Sequence, residues 1–339
     1  MTTAIEWTDV TWNPVTGCTK VSQGCKNCYA ERVFPRAYSK DQWPKGDGTF
    51  RRRLFTDVEC HENRLMAPLS WRKPRRVFVN SMSDLFHEEV PDEFIDQVFA
   101  VMALAPQHTF QVLTKRPERM RTYMVSCYER VREQQFARGI GIVNVTNDIG
   151  QDGHWPPRSV WLGVSVENQA TADERIPLLL QTPAAVRFVS YEPALGPVNF
   201  ADIWRDGKLL KPLVGLTWQP TYRGMELSGT KHAALDWIIV GGESGPGARP
   251  FDVEWARSIV RQCKQAGVPV FVKQIGRHVI DRNDAGFDGI DRWEWPDGTQ
   301  TGESEMYQGA PARIELRDRK GADISEWPQL LRVREFPCA

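Results

Sequence analysis

The sequence predicts an α/β protein organised as a parallel β/α barrel, partial or complete, with insertions and an irregular C-terminal cap. Three observations carry that expectation. Short, continuously apolar runs recur along the chain, helical patterns separate them, and the runs end in polar residues. Strand, helix and strand in repetition is the pattern of parallel β/α units.

A first strand is expected around Val10–Asn13. Strands are then expected at Val77–Asn80, Thr109–Leu113, Val160–Val166, Val186–Ser190, Trp237–Val240 and Val268–Val272. Their residues are apolar without alternation, as where helices cover a sheet. Between them, Tyr29–Val33 opens a helix. Asp92–Leu104 carries Phe94, Ile95, Val98, Phe99 and Met102 at helical spacing behind Pro91. Pro117–Arg130, Ala170–Leu180 and Val253–Ala266 read similarly, with Gly267 as a C-cap. Seven such strands suit a barrel; a doubly wound open sheet is the alternative. Four stretches fall outside the repeat: a polar, basic insertion at residues 40–76, Gly139–Pro157, Asp206–His232, and the segment from Asp281 onward. The expected organisation is therefore a barrel over residues 1–280 and a cap over 281–339.

The chain of 339 residues is long enough to bury roughly three quarters of its unfolded surface. No metal is needed merely to hold it together, so a metal site should have a function. Lys plus Arg and Asp plus Glu both number 43, which argues against a strongly basic nucleic-acid coat. The charge is uneven: residues 40–76 hold ten basic and five acidic side chains, residues 281–335 eight and thirteen. The basic stretch reads as a solvated face or as a patch for an anionic partner. The first residues, Met1 to Trp12, lack the basic and apolar regions of a signal peptide, and no stretch approaches the ~20 apolar residues of a membrane span. A cytoplasmic protein without membrane contact is expected. Structural disulfides are rare in that compartment, so the seven cysteines read as thiols.

Three of those thiols are close together in WNPVTGCTKVSQGCKNCYAE, residues Trp12–Glu31. Six residues separate Cys18 from Cys25, and two separate Cys25 from Cys28. Thiolates so spaced can converge on one metal centre. Gly17 and Gly24 let the backbone turn around it, and the dipole of the following helix favours anionic sulfur. A structural zinc site wants four ligands, and ordinary [4Fe–4S] clusters use four cysteines. Three ligands leave one iron open. Cys60 or His61 is the best fourth ligand if the metal is zinc, while Cys127, Cys263 and Cys338 are isolated. Plain thiols are the third reading.

Polar residues also follow the strands: Ser81, Ser83 and Asp84; Thr114, Lys115 and Arg116; Ser165, Glu167 and Asn168; Tyr191 and Glu192; Gly241, Gly242, Glu243 and Ser244; Lys273 and Gln274. Ligands of parallel β/α folds bind at these C-terminal ends, and Gly241-Gly242 permits close backbone approach. Among the thirteen tryptophans, Trp161 and Trp237 read as core. Trp7, Trp12, Trp43, Trp71 and Trp155 neighbour polar residues and could stack on a nucleobase. His87 and His154 read as loop or cap residues.

The stretches WNPVTGC…GCKNCYAE, SMSDLFHEEVP (Ser81–Pro91), LTKRPERM (Leu113–Met120), GVSVEN (Gly163–Asn168), SYEPALGP (Ser190–Pro197) and VGGESGPGARP (Val240–Pro250) carry a resemblance. The sequence resembles a phage- and mobile-element-associated three-cysteine family related to radical SAM enzymes, often encoded beside three-Cys-motif partner proteins. The resemblance implies a barrel of radical SAM type, a [4Fe–4S] cluster on Cys18, Cys25 and Cys28, and S-adenosylmethionine as cofactor. It places Ser83, Asp84, Ser165, Glu167, Glu192, Gly241, Gly242 and Glu243 as cofactor contacts. It further implies an electron donor such as flavodoxin or ferredoxin, a three-Cys-motif partner protein, and a nucleotide or nucleic acid as the class of substrate. Radical SAM enzymes commonly put three residues, then two, between their cysteines, so this chain's first loop is longer. Two other functions compete: a zinc-dependent nucleic-acid-binding protein using Arg51–Arg53 and Arg72–Arg76 on phosphates, and a structural or redox cluster without cleavage chemistry.

Overall fold

Valine, isoleucine and aromatic side chains crowd seven short segments, and in the structure, a computed structural model, each forms a strand. These are β1 Val10–Trp12, β2 Arg76–Val79, β3 Thr109–Thr114, β4 Val160–Ser165, β5 Val186–Tyr191, β6 Trp237–Gly241 and β7 Val270–Gln274. The structure describes residues 3, 5–45, 48–137, 155–221, 224–228, 232–281 and 312–337. His154, Cys338 and most of Gly139–Pro157 lie outside them, as does the cap between 282 and 311.

The seven strands form one sheet in chain order. Parallel pairing joins β1 to β2, β2 to β3, β3 to β4, β5 to β6 and β6 to β7. Adding each strand beside the last is the winding of a β/α barrel. A doubly wound sheet would return to its middle and reverse. The order therefore decides between the two expected sheet types and gives a mixed α/β fold of partial-barrel topology. By their contacts the residues divide into two compact units, Met1–Val164 with Gln181–Arg187, and Ser165–Leu180 with Phe188–Ala339.

Among the described residues of the first unit, the helices longer than one turn are α1 Tyr29–Ala37, α2 Asp92–Leu104, α3 Pro117–Ser126 and α4 Tyr128–Ala137. Helix α2 is a core helix: Phe94, Ile95, Val98, Phe99 and Met102 are buried, as is nearly every residue between them. The single helix expected over Pro117–Arg130 is two. At the break, Ser126 Oγ bonds back to the carbonyls of Thr122 and Tyr123 at 3.3 and 3.4 Å, and Arg130 Nη1 takes the Ser126 carbonyl at 3.2 Å. Side-chain bonds of this kind compete with the helical ladder.

The second unit holds α5 Gln169–Gln181 and α6 Val253–Ala266. Asp252 caps α6 by accepting from the Glu254 amide, and Gly267 ends it at φ 70°, as expected for a left-handed C-cap. The cap also explains why β7 starts two residues later than the apolar run: the Val268 amide still bonds to the Cys263 carbonyl. Part of Asp206–His232 forms a four-stranded antiparallel sheet with Ile203–Arg205. Residues 312–337 pack on β7 and β6. The Val272 amide bonds to the Val333 carbonyl at 3.0 Å, and Phe336 lies 5.2 Å from Trp237 and 5.3 Å from Phe271.

Candidate functional site

The cysteine loop leaves the end of β1 and is braced against the end of β2 by two asparagines. Asn80 donates its amide to the Trp12 carbonyl at 2.8 Å and accepts from the Val15 amide through Oδ1 at 3.2 Å. Asn13 Oδ1 accepts from the Met82 amide at 3.0 Å and from Ser81 Oγ at 3.2 Å. Asn80 sits at φ 61°, a conformation that asparagine tolerates better than most residues. Ser83 Oγ donates to the Val15 carbonyl at 2.9 Å, which anchors the strand leading to Cys18. Gly17 is required on two counts: its φ is +94°, and a Cβ there would stand 2.3 Å from the Asp57 carbonyl oxygen. Gly24 lies in one turn of 3-10 helix, Gln23–Cys25, and Cys28 occupies the N-cap of α1. Cys18, Cys25 and Cys28 are half-buried free thiols.

A cationic network grips the first of them. Arg116 has its side chain 6 % exposed, and all its donor groups are engaged. Nε donates to Glu88 at 2.8 and 3.0 Å. Nη1 reaches Asp84 Oδ2 at 3.3 Å and Cys18 Sγ at 3.7 Å, and Nη2 reaches Thr19 Oγ1 at 3.0 Å and its carbonyl at 3.4 Å. Asp84 is held by four donors: the Phe86 and Lys115 amides, Thr114 Oγ1, and Arg116. It is thus a bracket between the ends of β2 and β3. His87 Nδ1 accepts from the Glu89 amide at 3.1 Å, so Nε2–H is left to donate to Thr19 Oγ1 at 2.8 Å. Burial, then the Arg116 charge, push the His87 pKa down. It is a neutral loop brace, the role expected of it. Burial, then the Asp84 charge, push the Cys18 thiol up to about 12, while Arg116 pulls the other way.

In the second unit the strand ends are also internally engaged. Glu192 accepts from Lys273 Nζ at 2.6 Å and Gln274 Nε2 at 3.3 Å. Gly241 and Gly242 are small for the chain's own sake. A Cβ on Gly241 would meet Glu192 Cδ at 3.1 Å, and one on Gly242 would meet the Gly276 backbone at 3.0 Å. Glu243 is clamped by Arg249, whose amide and Nε donate to Oε2 at 2.9 and 3.0 Å and whose Nη2 takes Oε1. Glu167 is buried with Arg175, Nη1 to Oε2 3.2 Å, and the same Nη1 caps the carbonyl of buried Ser165 at 2.8 Å. Glu192 is the most accessible carboxylate of the three, at 20 %. The sequence showed the carboxylates but not their partners. The signal available was an arginine eight residues after Glu167 and six after Glu243.

Four of the basic residues expected to meet phosphate, Arg51, Arg53, Arg75 and Arg76, are engaged within the chain, while Arg52 and Arg72 are exposed. Arg51 pairs with Asp57 at 2.6 Å. Arg53 is buried, bonds Glu59 at 2.7 Å and Thr16 Oγ1 at 2.8 Å, and lies over the rings of Phe34, Tyr38 and Trp43 at 5.1–5.4 Å. Arg75 lies over Trp71, and Arg76 pairs with Asp9 at 2.9 Å. Trp7 and Trp12 are buried, so they are core rather than stacking platforms. Trp161 and Trp237 are core as expected. His61 is tied to Thr16 Oγ1 at 2.7 Å, and Cys60 pairs with Val15 in a two-stranded ladder. Among the described residues, no three His, Cys, Asp or Glu side chains are gathered closely enough to hold a metal ion. No helix among them is long and apolar enough to cross a membrane.

A family described as "Protein of unknown function (DUF5131)" matches residues 2–321. The chain belongs to the DUF5131 family. The DUF5131 match spans the three cysteines of the loop, the Arg116 network and every strand end described above. No curated protein and no solved structure matches the chain.

Proposed function

We propose that Cys18, Cys25 and Cys28 hold a [4Fe–4S] cluster with one iron left for S-adenosylmethionine, and that the protein is a radical SAM enzyme. The observation that carries this reading is a loop of three free thiols directly after the first strand of a singly wound parallel sheet. The donor chemistry suits iron–sulfur ligation, although the three sulfurs are not gathered into a ligating group. Cys127 and Cys263 are buried in the core, which leaves them out of the ligand set.

When bound, the cluster and cofactor would supply one-electron cleavage of the sulfonium S–C5′ bond, giving methionine and a 5′-deoxyadenosyl radical. The protein's own residues supply the framework. Gly17 allows the loop to pass Asp57, Ser83 and Asn13 fix its start, and Arg116 with Thr19 fixes Cys18. The N-terminal end of α1 offers a positive dipole end to a negative centre. On the resemblance, Glu192, the most accessible of the second unit's three strand-end carboxylates described above, is the first candidate there for a cofactor contact. An electron donor of flavodoxin or ferredoxin type and a three-Cys-motif partner belong to the same proposal. So does a nucleotide or nucleic acid as substrate class. Arg51 and Arg53 are paired within the chain, so phosphate binding by the insertion would fall to the exposed Arg52 and Arg72.

Anaerobic reconstitution with iron and sulfide tests the proposal. The protein should bind about four irons per chain and show a broad visible charge-transfer band. Cys18→Ala, Cys25→Ala and Cys28→Ala should each abolish that band, and Cys127→Ala and Cys263→Ala should leave it. One stoichiometric zinc with no iron would overturn the proposal.

A further inference from the structure

We propose that Arg116 is the positioning residue that fixes the sulfur of Cys18 and raises the reduction potential of the centre the three cysteines hold. The inference rests on the cluster reading above and concerns a residue outside the ligand set.

The geometry is specific. The guanidinium is nearly enclosed, and each of its three nitrogens has a different anchor. Nε is fixed by the Glu88 carboxylate and Nη2 by Thr19, the residue next to Cys18. Those two anchors leave Nη1 aimed between Asp84 Oδ2 and Cys18 Sγ. A planar fork held at two corners cannot swing away from the third. Thr19 is itself fixed by His87 Nε2–H, and Asp84 by two backbone amides and a hydroxyl, so the clamp has a supporting layer of its own. Lys20 gives a contrast. It also feels the charges of Cys25 and Cys28, but it is exposed and paired with Glu31 at 2.8 Å, where solvent screens it.

The electrostatics give the direction. Reduction adds one electron, and therefore one negative charge, to a cluster that its three thiolates already make negative. A buried N–H donor with a full positive charge on one ligating sulfur stabilises the reduced form, and hydrogen bonds to sulfur are among the levers that set such potentials. Asp84 stands on the other side of the same Nη1 and opposes it. Without Arg116, both Asp84 and Glu88 would face the ligand loop uncompensated. The centre would then be harder to reduce.

The test is a redox titration of anaerobically reconstituted full-length protein, followed through the visible band, for wild type, Arg116→Gln, Arg116→Lys and Glu88→Gln. Arg116→Gln should hold wild-type iron and reduce at a more negative midpoint. Arg116→Lys keeps the charge but loses the fork, and should fall between. Glu88→Gln removes an outer, 65 % exposed carboxylate and should move the midpoint the other way. A purely structural arginine would alter iron content or melting and leave the midpoint of the loaded fraction unchanged, and that result overturns the inference while the cluster reading stands. If Arg116→Gln fails to fold, unchanged midpoints in both other variants overturn it equally. A wild-type protein that takes up no iron overturns the cluster reading and this inference together.

Discussion

The bracket beneath the cysteine loop should make stability fall with acid in a definite window, through His61. Arg53 Nη2 donates to Thr16 Oγ1, and the same hydroxyl stands 2.7 Å from His61 Nε2. The ring is buried, and protonation would place a third cation beside Arg53 and Arg64. Glu59 lies 3.6 Å from Nδ1, but Arg53 holds it more closely, at 2.7 Å. Burial first, then Arg64 and Arg53, carry the His61 pKa down from its ordinary 6.5 to about 4. Above pH 6.5 the ring is neutral in both folded and unfolded chains, and its contribution is fully present. Between 6.5 and about 4 the unfolded chain takes a proton that the folded protein refuses, so stability falls as pH falls. At about 1.4 kcal/mol per pKa unit, the loss across that window is about 3 kcal/mol. Urea unfolding at pH 7.5 and 4.5 (chosen to bracket most of the window), for wild type and His61→Gln, measures it. His87 titrates in the same direction in both proteins, so the difference between their pH profiles isolates His61. Parallel profiles would refute the reasoning.

Two further perturbations follow from the same region. Gly17→Ala must carry a side chain at φ +94° and against the Asp57 carbonyl, a cost of roughly 1–3 kcal/mol from the backbone conformation alone. Lower melting and reduced iron uptake are expected, and wild-type values in both would contradict the account of the loop. Arg53→Met removes a buried cation from half-exposed Glu59 and buried Thr16 and should cost roughly 1–3 kcal/mol by leaving the buried Thr16 oxygens unsatisfied. A variant of normal stability that merely lost salt-dependent binding to nucleic acid would restore the phosphate-binding role.

The sheet was legible because buried parallel strands have no polar face to confuse the pattern. All six residues of Val160–Ser165 are buried, and the apolar run says so directly. The split at Cys127 was not legible, because it is made by Ser126 and Arg130 bonding to nearby carbonyls within a sequence of good helix formers. The internal partners of the insertion were hidden for a different reason. Counting ten basic residues says nothing of where Asp57 and Glu59 fold back onto Arg51 and Arg53. Polar neighbours in sequence made Trp7 and Trp12 look available, yet both are core, with the Trp12 Nε1 satisfied by the Arg64 carbonyl. Gly17 was read correctly as a turning point. Gly241-Gly242 announced close backbone approach, and what comes close is Glu192 and Gly276 of the same chain. The three cysteines stood out by spacing, whereas Arg116 was only one of many polar residues until its contact with Cys18 was seen.

The central claim is that the three thiols leave an iron open for S-adenosylmethionine, and electron paramagnetic resonance of the reduced, reconstituted protein tests it most directly. Adding the cofactor should change the spectrum of the reduced cluster, and prolonged incubation with dithionite should release 5′-deoxyadenosine slowly even without substrate. An intact cluster whose spectrum does not change at saturating cofactor, with no 5′-deoxyadenosine formed, would contradict the enzyme reading and leave a structural or redox cluster in its place.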